Sequence, residues 1–170
     1  MDPRDLDVVV VGNAGVDTNV YFHGPWDPSL ESAFTEDLDC VGQAGGYCSR
    51  GYARLGLRTA YLGALGDDAL GRYVRDVFAA DGVDLSGVFV DPLGTCRSVN
   101  LMNADGTRRN FYDGKGHLRT GPDPERAAYL LRRTRLAHFH LPDWARRLLP
   151  VAIEAGAVVA TDLQDVVDPD

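Results

Sequence analysis

Residues 41–71 read VGQAGGYCSRGYARLGLRTAYLGALGDDALG, and no other part of the chain restricts its fold as tightly. A glycine-rich turn at 42–46 opens a stretch of small and apolar residues spaced like a helix packed on a sheet, which closes at Ala53-Arg54-Leu55-Gly56. Residues 59–65 are then an apolar β-forming run, and Gly66-Asp67-Asp68 starts the next helical pattern. Residues 68–81 carry Leu70, Tyr73, Val74, Val77 and Phe78 at intervals of three and four, one apolar face of a helix. Gly82 stands where a glycine ends a helix. Turn, helix, strand, turn and helix in this order predict a small-molecule-binding edge on an α/β sheet.

The rest of the chain keeps the rhythm. Residues 7–11, Asp-Val-Val-Val-Val ended by Gly12, form a β-branched run of the kind buried on both faces of a parallel sheet. Strands are predicted at 88–90, 136–141 and 157–162, and helices at 124–133 and 143–155. Strands alternating with helices give an α/β fold with right-handed crossovers and a largely parallel sheet. Two segments break the alternation. Residues 20–40 have β-rich ends around a loop containing Pro, Gly and Trp, and residues 96–103 and 107–112 bracket Asn103-Ala104-Asp105-Gly106, a hairpin by its turn chemistry. Neither is long enough for a crossover helix, so both are expected as strands outside the main sheet. The chain stops just after an apolar strand, which would leave a buried-type edge open, and the expectation is a fragment or a truncated reading frame.

Charge and composition narrow the functions. At 170 residues and 45% apolar, the chain is long enough for one domain with its own core. Its 25 acidic against 17 basic residues give a formal charge of −8, a negative field that disfavours phosphate backbones and anionic membranes. Neither nucleic acid nor a membrane is expected as a partner. The arginine clusters at 108–109, 132–135 and 146–147 read as solvated helix faces and hairpin ends, because a nucleic-acid binder shows a basic stripe over the whole domain. Cys40, Cys48 and Cys96 lack CxxC spacing and leave an odd thiol, so no disulfide framework or zinc knuckle is predicted and a reducing cytoplasm fits. The opening MDPRDLD is acidic and carries no signal-peptide pattern, and no apolar run approaches the roughly 20 residues that span a bilayer.

Several residues could carry chemistry. Asn13 and Asp17 follow the first strand, where open α/β sheets bind ligands, and a carboxylate such as Asp17 can accept two hydroxyl hydrogen bonds from a polyol. The turn Gly42-Gln43-Ala44-Gly45-Gly46-Tyr47 offers backbone amides at a helix N-terminus to a hydroxylated or anionic ligand. Asp67 and Asp68 look like a catalytic acid pair, but adjacent acids at a helix start are explained by capping and the helix dipole. His138 and His140 lie two apart on a predicted strand and face one side, yet no third ligand stands at recognisable metal spacing, and a buried hydrogen-bonded pair is the reading preferred. Asp143 is a cleft candidate by position alone. Asp162-Leu163-Gln164 ends the last strand and reads equally as a cleft contact or as a helix N-cap.

Gly42-Gln43 with Tyr47, then Ala53-Arg54-Leu55-Gly56, then Gly66-Asp67-Asp68 with Gly71 resemble the first signature of the PfkB, or ribokinase-like, carbohydrate kinases, roughly GGxxxN, ARLG and GDDxxG. Asp105-Gly106-Thr107-Arg108 resembles a D-G-x-R hairpin common in them, and Asp162-Leu163-Gln164 is similar to their D-x-N. The resemblance implies a three-layer ribokinase-like fold, with residues 1–170 as the N-terminal portion of one domain. It makes segments 18–40 and 96–112 a small β lid over the sugar, through which such kinases dimerise. It gives Asp17 contact with substrate hydroxyls, and makes Asn13, Gly42, Gln43, Gly46 and Tyr47 the other substrate-binding residues. It also implies ATP and Mg²⁺ with a sugar or nucleoside substrate, and treats the Gly-Asp-Asp turn as architectural. The chain departs from the family where Gln43 replaces the second glycine and Tyr47 replaces the sugar-binding asparagine; ordinary ribose or fructose specificity is therefore not expected.

Phosphoryl transfer needs a base, donors for the phosphoryl charge and a nucleotide site. In PfkB kinases a late D-T-x-G-A-G-D segment supplies them, and no such segment or Walker GxxxxGK[ST] occurs in residues 1–170. No catalytic residue is therefore assigned here, and the chain is expected to be inactive alone. Three readings stand at this point: the substrate-binding portion of a sugar or nucleoside kinase, a non-catalytic binding module or degenerate remnant of that fold, and a weaker dinucleotide-binding oxidoreductase based on Gly12-x-x-Gly15.

Overall fold

The computed structural model describes residues 4–27, 29, 31–140 and 143–162. Leu6–Val11 (β1) lies at the centre of a five-stranded parallel sheet with Thr59–Leu65 (β4), Asp84–Val90 (β5), Thr134–Phe139 (β8) and Val158–Thr161 (β9), in the order β5-β4-β1-β8-β9. All seven residues of β4 are buried, as its continuous apolar run requires of a strand covered on both faces. Side chains alternate between two cores. Val9, Val11, Ala60 and Leu62 meet Leu130, Leu131, Phe139 and Trp144 on one face, while Tyr61 and Leu65 meet Val74 and Phe78 on the other.

Those cores are closed by helices. Ala44–Arg54 (α1) and Ala69–Ala80 (α2) serve one face, and Pro124–Arg132 (α3), Asp143–Arg146 (α4) and Leu149–Glu154 (α5) the other, giving three layers. The apolar face read in α2 holds: Val74 and Phe78 are fully buried, and Gly82 ends the element with φ 79°. The single helix expected over 143–155 is instead two, interrupted at Arg147 and Leu148. Pro150 lacks an N–H to continue the ladder and sits in the first turn of α5, where that absence costs nothing. The strand expected at 88–90 begins at Asp84, because an edge strand tolerates polar residues and Gly87.

The segments that broke the alternation form a second sheet. Gly15–Phe22 (β2), Thr35–Gly42 (β3), Arg97–Met102 (β6) and Arg108–Asp113 (β7) run in the order β3-β2-β6-β7. β2 pairs antiparallel with β3 and parallel with β6, and β6 pairs antiparallel with β7 across the Asp105-Gly106 turn. Among the described residues no helix is long and apolar enough to cross a membrane.

Candidate functional site

Register in the second sheet sets the site. Asp17 on β2 stands opposite Cys40 on β3 and Ser98 on β6, and Ser98 stands opposite Tyr112 on β7. Asp17 is therefore a strand residue, buried to 8% exposure, and not part of a turn. Two residues along the same face, Asn19, Asn100 and Asn110 form an amide ladder across three strands. Asn100 Nδ2 donates to Asn19 Oδ1 at 3.0 Å, and Asn110 Nδ2 to Asn100 Oδ1 at 2.8 Å. Period-two alternation puts the two rows on one face, which is polar across β2, β6 and β7, with Leu38 opposite Asn19 at the β3 edge.

The start of α1 meets this face. Gln43 Nε2 donates to Asp17 Oδ1 at 2.8 Å and to Ser98 Oγ at 2.9 Å, and the Tyr47 hydroxyl donates to Asp17 Oδ2 at 2.8 Å. Gln43 is the N-cap of α1 but makes no capping bond, because its amide is spent across the gap between the helix and the second sheet. It sits at φ 65°, a left-handed conformation that favours glycine and costs a side-chain-bearing residue on the order of 1–3 kcal/mol. Gly42 has a different reason to be glycine: a Cβ there would lie 2.1 Å from Asp17 Cγ. Tyr47 keeps its ring half exposed at 52%, and partial burial followed by the bond to Asp17 pushes its phenol well above the usual range, so it stays a donor. A carboxylate has about four acceptor positions; two on Asp17 are taken by Gln43 and Tyr47, and two remain for hydroxyl donors.

Of the residues singled out from sequence, Asp17, Gly42, Gln43 and Tyr47 come together. Asn13 lies at the rim, donating from Nδ2 to the Tyr112 hydroxyl at 3.2 Å. Gly46 does not face the cluster: a Cβ there would meet Val41 Cγ1 at 3.2 Å and Ala14 Cβ at 3.6 Å, so it allows α1 to pack closely. Asp143 is exposed and paired with Arg147 at 2.9 Å. Ser98, Tyr112 and the asparagine ladder were missed, because their alignment with Asp17 depends on a parallel pairing between strands far apart in sequence.

Asp68 is architectural. It caps α2 by accepting from Gly71 N at 2.7 Å, and it accepts from Thr95 N and Thr95 Oγ1, both at 2.8 Å, which ties α2 to the approach to β6. Asp68→Ala should lower stability by about 1–2 kcal/mol through loss of the cap and its added bonds. A denaturant midpoint unchanged in that variant would remove this account. Gly12 and Gly15 give no dinucleotide turn, since Gly15 opens a strand and not a helix whose N-terminus could hold a pyrophosphate.

His138 and His140 are close, with ring centroids 4.5 Å apart. The Tyr52 hydroxyl lies 3.1 Å from His138 Nδ1, but neither ring nitrogen of the buried His140 has a hydrogen-bond partner, so the expected hydrogen-bonded pair is only half present. Burial lowers both imidazoles, His140 to about 4, with His138 adding to the effect there. The fold brings Cys48 from α1 to the pair, with ligand atoms of all three within 4.8 Å of one another. Leu163 and Gln164 lie outside the described residues.

The family described as pfkB family carbohydrate kinase matches residues 41–131, more than half of the chain. The chain belongs to the PfkB family of carbohydrate kinases. Within it, the acarbose 7(IV)-phosphotransferase of Actinoplanes sp. is 38% identical over 111 residues, covering 64% of this chain and 36% of that protein. A microbiome-derived acarbose kinase superposes with TM-score 0.84 at 34% identity, over 93% of this chain and 53% of that one. The ribokinase of Arabidopsis thaliana, solved with ribose and ATP, superposes with TM-score 0.78 over 94% of this chain and 54% of its own length, at 23% identity, a likeness of fold alone. The chain thus spans about a third of the curated PfkB relative and about half of the solved structures. The PfkB signature accounts for Gly42, for the helix closing at Gly56 and for the Asp68 cap, while Gln43 and Tyr47 depart from it.

Proposed function

We propose that this chain is the acceptor-binding portion of an ATP-dependent PfkB kinase that phosphorylates a hydroxyl group of a sugar larger than a simple pentose or hexose. The observation that carries the reading is the polar face of the second sheet, on which Asp17 lies beside Ser98 and the Asn19, Asn100 and Asn110 ladder. Amides and a carboxylate in one plane match alternating donors and acceptors on a polyol, and the second sheet serves as the lid over it. The exposed ring of Tyr47 adds a surface on which a further ring can stack.

ATP and Mg²⁺ enter this reading through the family. Among the described residues the cluster of three candidate metal ligands is Cys48, His138 and His140, a soft donor set that does not suit Mg²⁺. No phosphoryl-transfer step is derived from residues 1–170, which lack the D-T-x-G-A-G-D segment; this chain alone is expected to bind acceptor without turning over ATP.

Calorimetric titration with acarbose, D-ribose and D-fructose tests the reading. Acarbose is expected to bind the most tightly of the three, and Tyr47→Asn to erase that preference. No binding of any of the three would end the acceptor reading, and a ranking unmoved by Tyr47→Asn would remove the role given to that ring.

A further inference from the structure

Cys48, His138 and His140 stand apart from the Asp17 cluster and have no part in the function proposed above. Cys48 is on α1, His138 on β8, and His140 one residue past the end of β8, where its backbone N donates to Val11 O at 2.8 Å. His140 is 3% exposed, and both of its ring nitrogens are buried without a hydrogen-bond partner. Each such nitrogen has lost its water and is destabilising unless something engages it. The Tyr52 hydroxyl orients the neighbouring His138 ring. The Asp162 carboxylate approaches from the end of β9, with Oδ2 at 3.9 Å from His140 Nδ1.

We infer that Cys48, His138 and His140 form a site for one divalent ion of the zinc type, with the Asp162 carboxylate as fourth ligand. One thiolate, two imidazoles and a carboxylate are a borderline-soft set that favours four-coordinate Zn²⁺ over Mg²⁺ or Ca²⁺. Tetrahedral zinc with bonds of about 2.0–2.3 Å holds its donors roughly 3.3–3.8 Å apart. The three ligand atoms already lie within 4.8 Å of one another, so side-chain rotation closes the remainder. The thiol gives up its proton as the metal binds, and an ion there satisfies the otherwise orphaned His140. It also fastens α1, which carries Gln43 at its cap and Tyr47 in its first turns, to the carboxyl ends of β8 and β9.

The test is a titration of the chelator-stripped 170-residue chain with Co²⁺ as a spectroscopic stand-in, followed by displacement with Zn²⁺. One Co²⁺ per chain is expected, with the intensity of a four-coordinate ion and a thiolate charge-transfer band. That band should vanish in Cys48→Ser and persist in Cys40→Ser and Cys96→Ser, while His140→Asn should weaken binding at least about tenfold. No binding, or a charge-transfer band that survives Cys48→Ser, overturns the site. A second measurement guards against a variant that fails to fold: in the unmodified chain Zn²⁺ should slow alkylation of Cys48 selectively, as read by peptide mass, and equal rates with and without Zn²⁺ also overturn it. Neither readout depends on sugar binding, so failure here leaves the acceptor reading standing, and the reverse.

Discussion

Asp17→Ala is expected to weaken acarbose binding about a hundredfold. Hydrogen bonds to a charged group contribute about 1.5–3 kcal/mol each, and loss of two hydroxyl contacts amounts to about 3 kcal/mol, or two decades in affinity. The variant should remain folded. Gln43 Nε2 keeps its bond to Ser98 Oγ, and the half-exposed Tyr47 hydroxyl can turn to water, so neither donor is stranded in the interior. Calorimetry on Asp17→Ala beside the unmodified chain, with circular dichroism as the check on folding, measures the effect. Affinity preserved within about threefold, less than 1 kcal/mol, would show that Asp17 does not hold the ligand.

Gly15→Ala should lower the melting temperature by roughly 6–12 °C, from a cost of about 3 kcal/mol at roughly 2–4 °C per kcal/mol for a domain of this size. A Cβ at Gly15 would lie 2.2 Å from the Cys96 carbonyl oxygen and 2.6 Å from Cys96 Sγ. Most of what it would strike is backbone, which has no flexible end to swing away. That backbone is pinned as well: Val16 N donates to the Cys96 oxygen at 3.2 Å, and Cys96 Sγ donates to Ala14 O at 3.2 Å. Burial holds the Cys96 thiol up at about 12, so it remains a donor there. Gly51 on α1 is the control, since a Cβ there meets nothing within 4 Å, and Gly51→Ala should be neutral or mildly stabilising by helix propensity. Equal melting of the two variants would defeat the packing argument.

What the sequence disclosed and what it withheld divide along sequence separation. The β4 run, a continuous apolar stretch, and the α2 stripe, of period 3.6, are local patterns, and both elements formed where those patterns lie. Pro150 signals the break at Arg147, but the apolar spacing continues across it, so the local pattern reads as one helix over 143–155. The chemistry is different in kind. Asp17, Gln43 and Tyr47 could be named singly, but the bond from Gln43 to both Asp17 and Ser98 depends on β2 lying parallel to β6. Cys48 joins His138 and His140 only because α1 packs beside the end of β8. No spacing rule within one segment encodes either meeting.

The carboxylate of Asp17 is already doubly engaged before any ligand arrives. On the proposed reading, the side chain is fixed before the sugar comes, and the one acceptor position left on each oxygen points in a set direction. A polyol therefore meets a template and not a loose carboxylate, and only hydroxyls at the matching separation engage both oxygens. The two donors that the protein supplies itself are what give the remaining positions their geometry.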